Sequence, residues 1–129
     1  MTDTGNNTIL GDGYANVITG GSGNETFDGG NGADTLNGGA GDDRIIYDAA
    51  DTLQDGGSGN DTLVVTSSTP MVIFGSANPD QITGDAGITR GFENTDASLS
   101  TGAMTLYGDD TANTLTGGAA NDTRSKSVV

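Results

Sequence analysis

The chain contains no cysteine and no histidine. Disulfides, thiolate or imidazole zinc sites and histidine-based catalytic triads therefore lack their parts. Four basic residues, Arg44, Arg90, Arg124 and Lys126, stand scattered among eighteen acids. Phosphate binding needs clustered Lys or Arg, so nucleic acid is not an expected partner. No apolar run approaches the roughly 18 residues that cross a bilayer as a helix, so no transmembrane segment is expected. Residues 1–7 lack the basic and apolar regions of a cleavable leader. Tryptophan is absent, and the hydrophobic share is 32%, with a formal net charge of −14. Globular chains are roughly 45–50% apolar. Low hydrophobicity with high net charge marks a chain that cannot fold on its own core but can fold around cations. The 129 residues suit one domain.

What is plentiful is glycine, twenty-three residues of it, and it is periodic. Read in nines, residues 20–28, 29–37, 38–46 and 56–64 share one phase. Glycine holds places one, two and four: Gly20, Gly21 and Gly23; Gly29, Gly30 and Gly32; Gly38, Gly39 and Gly41; Gly56, Gly57 and Gly59. An acid holds place six (Glu25, Asp34, Asp43, Asp61), and a large apolar residue holds place eight (Phe27, Leu36, Ile45, Leu63). Glycine reaches positive φ without steric cost, so the first six places can turn sharply and aim carbonyl oxygens inward. The carboxylate adds a hard, charged oxygen. The last three places read as a short strand whose middle side chain points to one face, giving a thin core. A flexible acidic linker would not keep an apolar residue every nine places.

These residues resemble the RTX family, the hemolysin-type calcium-binding repeats of secreted bacterial toxins, proteases, lipases and adhesins. The resemblance is strongest over residues 20–64 and extends over 2–19. It is weaker over 108–123, and residues 91–98 are similar to segments between repeat blocks in large adhesins. It implies an all-β fold, a right-handed parallel β-roll or β-solenoid, with two repeats per coil and calcium ions between the turns. A turn then pairs with the one eighteen residues on. The implied metal-binding residues are the glycines named above, the acids Glu25, Asp34, Asp43 and Asp61, and Asn31, Asn16 and Asp51 in or beside the turns. Calcium takes six to eight oxygens at about 2.3–2.6 Å, which carbonyls and carboxylates supply. About five ions would bring about ten positive charges against the acid excess. The resemblance also implies a secreted or cell-surface location and type I export in the parent protein. The end, residues 123–129, offers no evident export signal, so the expectation is a module cut from a longer protein.

The phase decays toward both ends. Ile9 and Ile18 keep place eight upstream, with Asn7 and Asn16 at place six. The unit 47–55 reads as out of step, because Leu53 arrives one residue early. The resulting division is 1–66, a calcium-binding roll; 67–107, an irregular continuation; and 108–129, decayed repeats and a tail. In the middle, turns are expected at Pro70 and Pro79, and strands at 71–74, 81–83, 88–90, 92–97 and 104–107. A separate domain there is the alternative, although so few apolar side chains would struggle to fold alone. In the last unit Arg124 falls at place eight, so the roll is expected to end near Leu115 with a charged tail. An open end exposes strand edges and invites end-to-end self-association, which Arg124 and Lys126 would discourage. Acid pairs such as Asp42–Asp43 and Asp109–Asp110 could in principle serve a glycosidase. The former belongs to a calcium turn and the latter reads as a solvated turn, so no enzyme is expected. The alternative function is an adhesin-like surface binding carbohydrate or another ligand. Its motive is Thr8, Thr26, Thr35, Thr62 and Thr114, all outward at place seven; threonine's strand preference explains them without any ligand.

Overall fold

Three-residue strands hold together only if something pairs each on both sides, and here the eighteen-residue period does so. The structure is a computed structural model that describes residues 4–75, 79–82, 84–85 and 87–126. It contains β1 (Thr8–Leu10), β2 (Val17–Thr19), β3 (Thr26–Asp28), β4 (Thr35–Ala40), β5 (Arg44–Ile46), β6 (Leu53–Ser58), β7 (Thr62–Val64), β8 (Met71–Ile73), β9 (Ile88–Arg90), β10 (Asn94–Asp96), β11 (Met104–Gly108), β12 (Leu115–Thr116) and β13 (Thr123–Lys126). No helix occurs among the described residues. Successive strands alternate between sheets: β1-β3-β5-β7-β10-β12 form the first and β2-β4-β6-β9 the second, all parallel. Thr8 lies opposite Thr26, and Val17 opposite Thr35. Each coil thus consumes two nonapeptides, and the fold is an all-β, parallel β-solenoid.

Between the sheets lies a ladder of place-eight side chains. Phe27, Leu36, Ile45 and Leu63 are fully buried, and Ile9 and Ile18 pack against them at the N-terminal end. Burying one such side chain stabilises by roughly 1.5–3 kcal/mol. The ladder then turns polar: Gln54 lies opposite Leu36, Thr89 opposite Gln54, and Thr95 opposite Leu63, all buried.

Unit 47–55 therefore corrects the sequence reading. Leu53 is not the inward residue of a shifted strand; Gln54 occupies place eight in phase, and Leu53 pairs with Thr35. The irregularity lies in the turn. Asp51 sits seventeen residues after Asp34, and the N–H groups of Thr52 and Leu53 both point at the Asp34 carbonyl, at 2.7 and 3.3 Å. This local bulge absorbs the extra residue before the strand begins. An apolar search cannot find an inward glutamine.

Past β7 the coils lengthen. Asp61 and Glu93, equivalent in position, are 32 residues apart, and Gln54 and Thr89 are 35 apart. The added chain carries β8, which starts a third parallel sheet, β13-β11-β8. Ile73, Met104 and Leu106 extend the core there. Gln81 was expected in a strand; with Ile82 it lies in a bend instead. Its side chain donates to the carbonyls of Phe74 and Phe92, at 3.0 and 2.7 Å, and accepts from the Phe92 N–H at 2.8 Å. Thr83, and Ala77 and Asn78 of the turn expected before Pro79, lie outside the described residues.

The predicted end near Leu115 is also corrected. β13 pairs with β11 in register, placing Arg124 opposite Leu106. Arg124 is exposed, because β13 is the last strand of its sheet. Its guanidinium meets water without leaving the ladder. Val128 and Val129 lie outside the described residues.

The threonine array is not one surface. Thr8, Thr26 and Thr62 belong to the first sheet, with Arg44 between Thr26 and Thr62, whereas Thr35 belongs to the second.

Candidate metal centre

Each regular turn ends at place six, the residue before a strand, so the strand register stacks these side chains along each edge; only Asp51 joins its stack from one place earlier. On the edge feeding the first sheet the stack runs Glu25, Asp43, Asp61, Glu93. On the opposite edge it runs Asn16, Asp34, Asp51. The aspartates act alike: one carboxylate oxygen reaches back to the place-six N–H of the preceding coil. Asp43 accepts from Glu25 N–H at 2.8 Å, Asp61 from Asp43 at 2.8 Å, Asp34 from Asn16 at 2.7 Å and Asp51 from Asp34 at 3.1 Å.

The second oxygen is the informative one. Glu25 Oε1, Asp34 Oδ2, Asp43 Oδ2 and Asp61 Oδ2 are buried and have no hydrogen-bond partner. The only other such oxygen among the described residues is Asp85 Oδ1. A buried ionised carboxylate with an unused lone pair is costly unless a countercharge meets it. Burial pushes the carboxyls of Asp43, Asp51 and Asp61 up, with neighbouring acids adding to the effect; Asp61 is pushed to about 7.

The glycines shape the space beside these oxygens. A Cβ on Gly38 would collide with the Gly56 carbonyl oxygen and with Asp43 Oδ2. One on Gly20 would strike the Gly38 carbonyl and come within 2.8 Å of Glu25 Oε2, the oxygen that accepts from Gly21 N–H, whereas one on Gly23 would come within 2.7 Å of the unpaired Oε1 and collide with the Gly5 carbonyl. Gly29 meets Asp34 Oδ2 in the same way, and Gly56 meets the Gly91 carbonyl and the Asp61 carboxylate. At Gly20, Gly38 and Gly56, place one therefore brings the carboxylate of its own turn and a carbonyl oxygen of the next coil to one spot, whereas Gly29 meets only its own turn's Asp34. Places two and four set the turn: Gly30, Gly32, Gly39, Gly41, Gly57 and Gly59 have positive φ, as at Gly41 with φ 118°. Gly21 and Gly23 are not among them. Even so, Gly23 lies against the Gly5 carbonyl and Gly41 against the Gly23 carbonyl. Among the described residues no group of three or more acidic side chains is placed to hold an ion alone. A cation here would draw most of its oxygens from carbonyls, which suits a hard ion of high coordination number such as calcium.

The remaining sequence candidates fall differently. Asp51 spends both oxygens, one on Asp34 N–H and the other on a short hydrogen bond from Gln54 Nε2. Asn16 closes its own turn, its Oδ1 accepting from Asp12 N–H at 3.0 Å. Asn31 joins through its backbone, donating to the Asp12 carbonyl at 3.1 Å. Two features escaped the sequence reading. Glu93 takes the place-six position, its Oε2 accepting from Asp61 N–H at 2.8 Å, although its turn has shrunk to Gly91-Phe92-Glu93. The glutamate directly before a strand was its signal. The other is an asparagine series at place five, visible in the sequence at eighteen-residue intervals.

This architecture, a parallel solenoid with acid-bearing glycine turns, defines a class of repeat. The family of the RTX calcium-binding nonapeptide repeat matches the chain in four copies, over residues 1–36, 19–53, 55–67 and 105–123. The matches cover more than half of the chain, and the chain belongs to that family. No curated protein and no solved structure matches it. The repeats and the solenoid together fit a calcium-binding β-roll module. Glu25, Asp34, Asp43 and Asp61 are the residues that would hold the ions, with the Gly5, Gly56 and Gly91 carbonyls adjoining Glu25, Asp43 and Asp61, and a bound ion would supply positive charge to buried carboxylates.

Proposed function

We propose that the chain folds on binding calcium outside the cell, as a module of an exported RTX-type protein. The observation that carries this reading is the set of unpaired, buried carboxylate oxygens on Glu25, Asp34, Asp43 and Asp61. Ion-free, the fold buries negative charge in a chain already at −14. About five divalent ions between same-edge turns would offset both costs. Extracellular calcium is on the order of millimolar and suits weak sites. The chain would then remain unfolded through type I export machinery and fold on arrival. Each site stabilises by about 2.7 kcal/mol at one hundred times its Kd. No catalytic role is proposed.

The test is far-UV circular dichroism during a calcium titration, with magnesium as control. A β-rich spectrum that develops with calcium, poorly with magnesium, and vanishes in chelator is expected. A β-rich spectrum unchanged by excess chelator would refute calcium-dependent folding.

A second reading, a surface module for carbohydrate, draws on a groove of about 450 Å³ on the first sheet, lined by Arg44, Thr62, Asn94, Asp96 and Thr114 among others. It has less support, because Arg44 is tied to Asp96 at 3.0 Å and interrupts the threonines.

A further inference from the structure

Place five carries a second ladder, and it runs opposite to the carboxylate one. Asn24 N–H donates to Asn6 Oδ1 at 3.0 Å, Asp42 N–H to Asn24 Oδ1 at 2.9 Å and Asn60 N–H to Asp42 Oδ1 at 3.0 Å, each across eighteen residues. Where the repeat fails the series continues by other means. Asn94 Nδ2 donates to Asn60 Oδ1 at 2.8 Å, and Asn94 Oδ1 accepts from Thr114 N–H at 2.8 Å. The ladder thus links every coil along the first-sheet edge.

Its direction matters. In the 38–43 turn, the place-five N–H is held by a side chain of the preceding coil and the place-six N–H by one of the following coil. The 20–25 turn is held the same way, by Asn6 before it and Asp43 after it. Two adjacent amides of each turn are therefore fixed by opposite neighbours. The other edge does not do this: Ala15 and Ala33 stand at place five and offer no acceptor, and Asp51 of the next unit gives its oxygens to Asp34 N–H and Gln54.

We propose that Asn24, Asp42 and Asn60 are positioning residues that couple neighbouring calcium gaps along this edge. The inference rests on the calcium reading above. Ordering one turn around an ion fixes the place-five acceptor that the next turn needs, so the next gap has less conformational freedom left to lose. Cooperativity arises from shared ordering, without a shared ligand. An Asp or an Asn serves equally as acceptor, so the role belongs to the side-chain oxygen and not to charge.

The experiment is a calcium titration by circular dichroism on the full chain and on Asn24→Ala, Asn60→Ala, Asp42→Ala and Asp42→Asn. Amide hydrogen exchange at residues 24, 42 and 60 in saturating calcium is the second readout. The alanine variants should lower the Hill slope, reach the same β-rich end point, and lose protection at the amide whose acceptor was removed. Asp42→Asn should keep the parent slope. A parent transition whose slope the alanine variants leave unchanged overturns the coupling and spares calcium-dependent folding. Asp42→Asn behaving like Asp42→Ala also overturns it, by making charge the cause. Should an alanine variant fail to fold, Asp42→Asn still decides, because loss of its slope rejects the acceptor role. A parent with no calcium transition overturns both readings.

Discussion

On the edge that feeds the first sheet, the turns ending at Glu25, Asp43 and Asp61 follow one another at eighteen residues. Each has an unpaired buried oxygen and a place-five acceptor beside it. On the edge that feeds the second sheet, the same nonapeptide gives Asn16, Asp34 and Asp51, of which Asp34 alone keeps such an oxygen. The difference comes from small substitutions. An amide at Asn16 is satisfied within its own turn, and one extra turn residue brings Asp51 against Gln54. Place one is still glycine in the Asn16 turn, at Gly11, as it is in the Asp34 turn, at Gly29, so the backbone cradle outlasts the ligand. A β-roll can therefore retain its coil on an edge where its sites have weakened.

The widest test of this contrast removes one acid from each edge. Asp43 borders the turns of Glu25 and Asp61, so Asp43→Ala should raise the calcium midpoint roughly tenfold, about 1.4 kcal/mol. Asp34→Ala should raise it roughly threefold, and Asp122→Ala, in the C-terminal unit, less than roughly twofold. Asp122 binds back to Met104 N–H at 2.8 Å but stands among decayed turns. Equal shifts for Asp43 and Asp34, measured by circular dichroism, would erase the distinction between the edges.

A smaller effect should come from pH. The Asp61 carboxyl is raised from 3.8 to about 7, by burial first and then by the charges of Asp43, Glu93 and Asp42. A carboxyl raised on folding favours the fold fully below its ordinary value and loses that contribution as pH rises through about 7. In chelator, β content should therefore grow as pH falls from about 8 to about 5, and Asp61→Asn should flatten the change. A spectrum in chelator that does not respond to pH would show that the buried acids do not oppose the ion-free fold.

The smallest expected effect would sharpen the comparison by repairing the poorer edge. Gln54→Leu restores an apolar place eight opposite Leu36 and releases the Asp51 oxygen that Gln54 holds. Calorimetry should then find about one more calcium per chain. Unchanged stoichiometry would mean that the bulge at Thr52, and not Gln54, disables that turn.

The regular coils were legible because two signals coincide in them. Phe27, Leu36, Ile45 and Leu63 mark the inward face, and the acids two residues earlier mark the turns. Features that depend on one signal were hidden. Gln54 is inward but polar, so the apolar pattern points to Leu53 in its place. Glu93 is a place-six acid without its glycine pair. The place-five ladder has period eighteen and disappears when the chain is read in nines, because Ala15 and Ala33 alternate with Asn6, Asn24, Asp42 and Asn60. The third sheet depends on how a 32-residue coil folds back, which local pattern does not encode. Arg124 keeps its place in the ladder because place eight on the last strand of a sheet faces solvent.

The most direct measurement is a crystal structure grown in calcium, with anomalous scattering to locate the ions. Ions are expected within about 2.3–2.6 Å of Asp43 Oδ2 and Asp61 Oδ2, with glycine carbonyls completing each shell. Those two oxygens found without an ion, or turned out to solvent, would contradict the account.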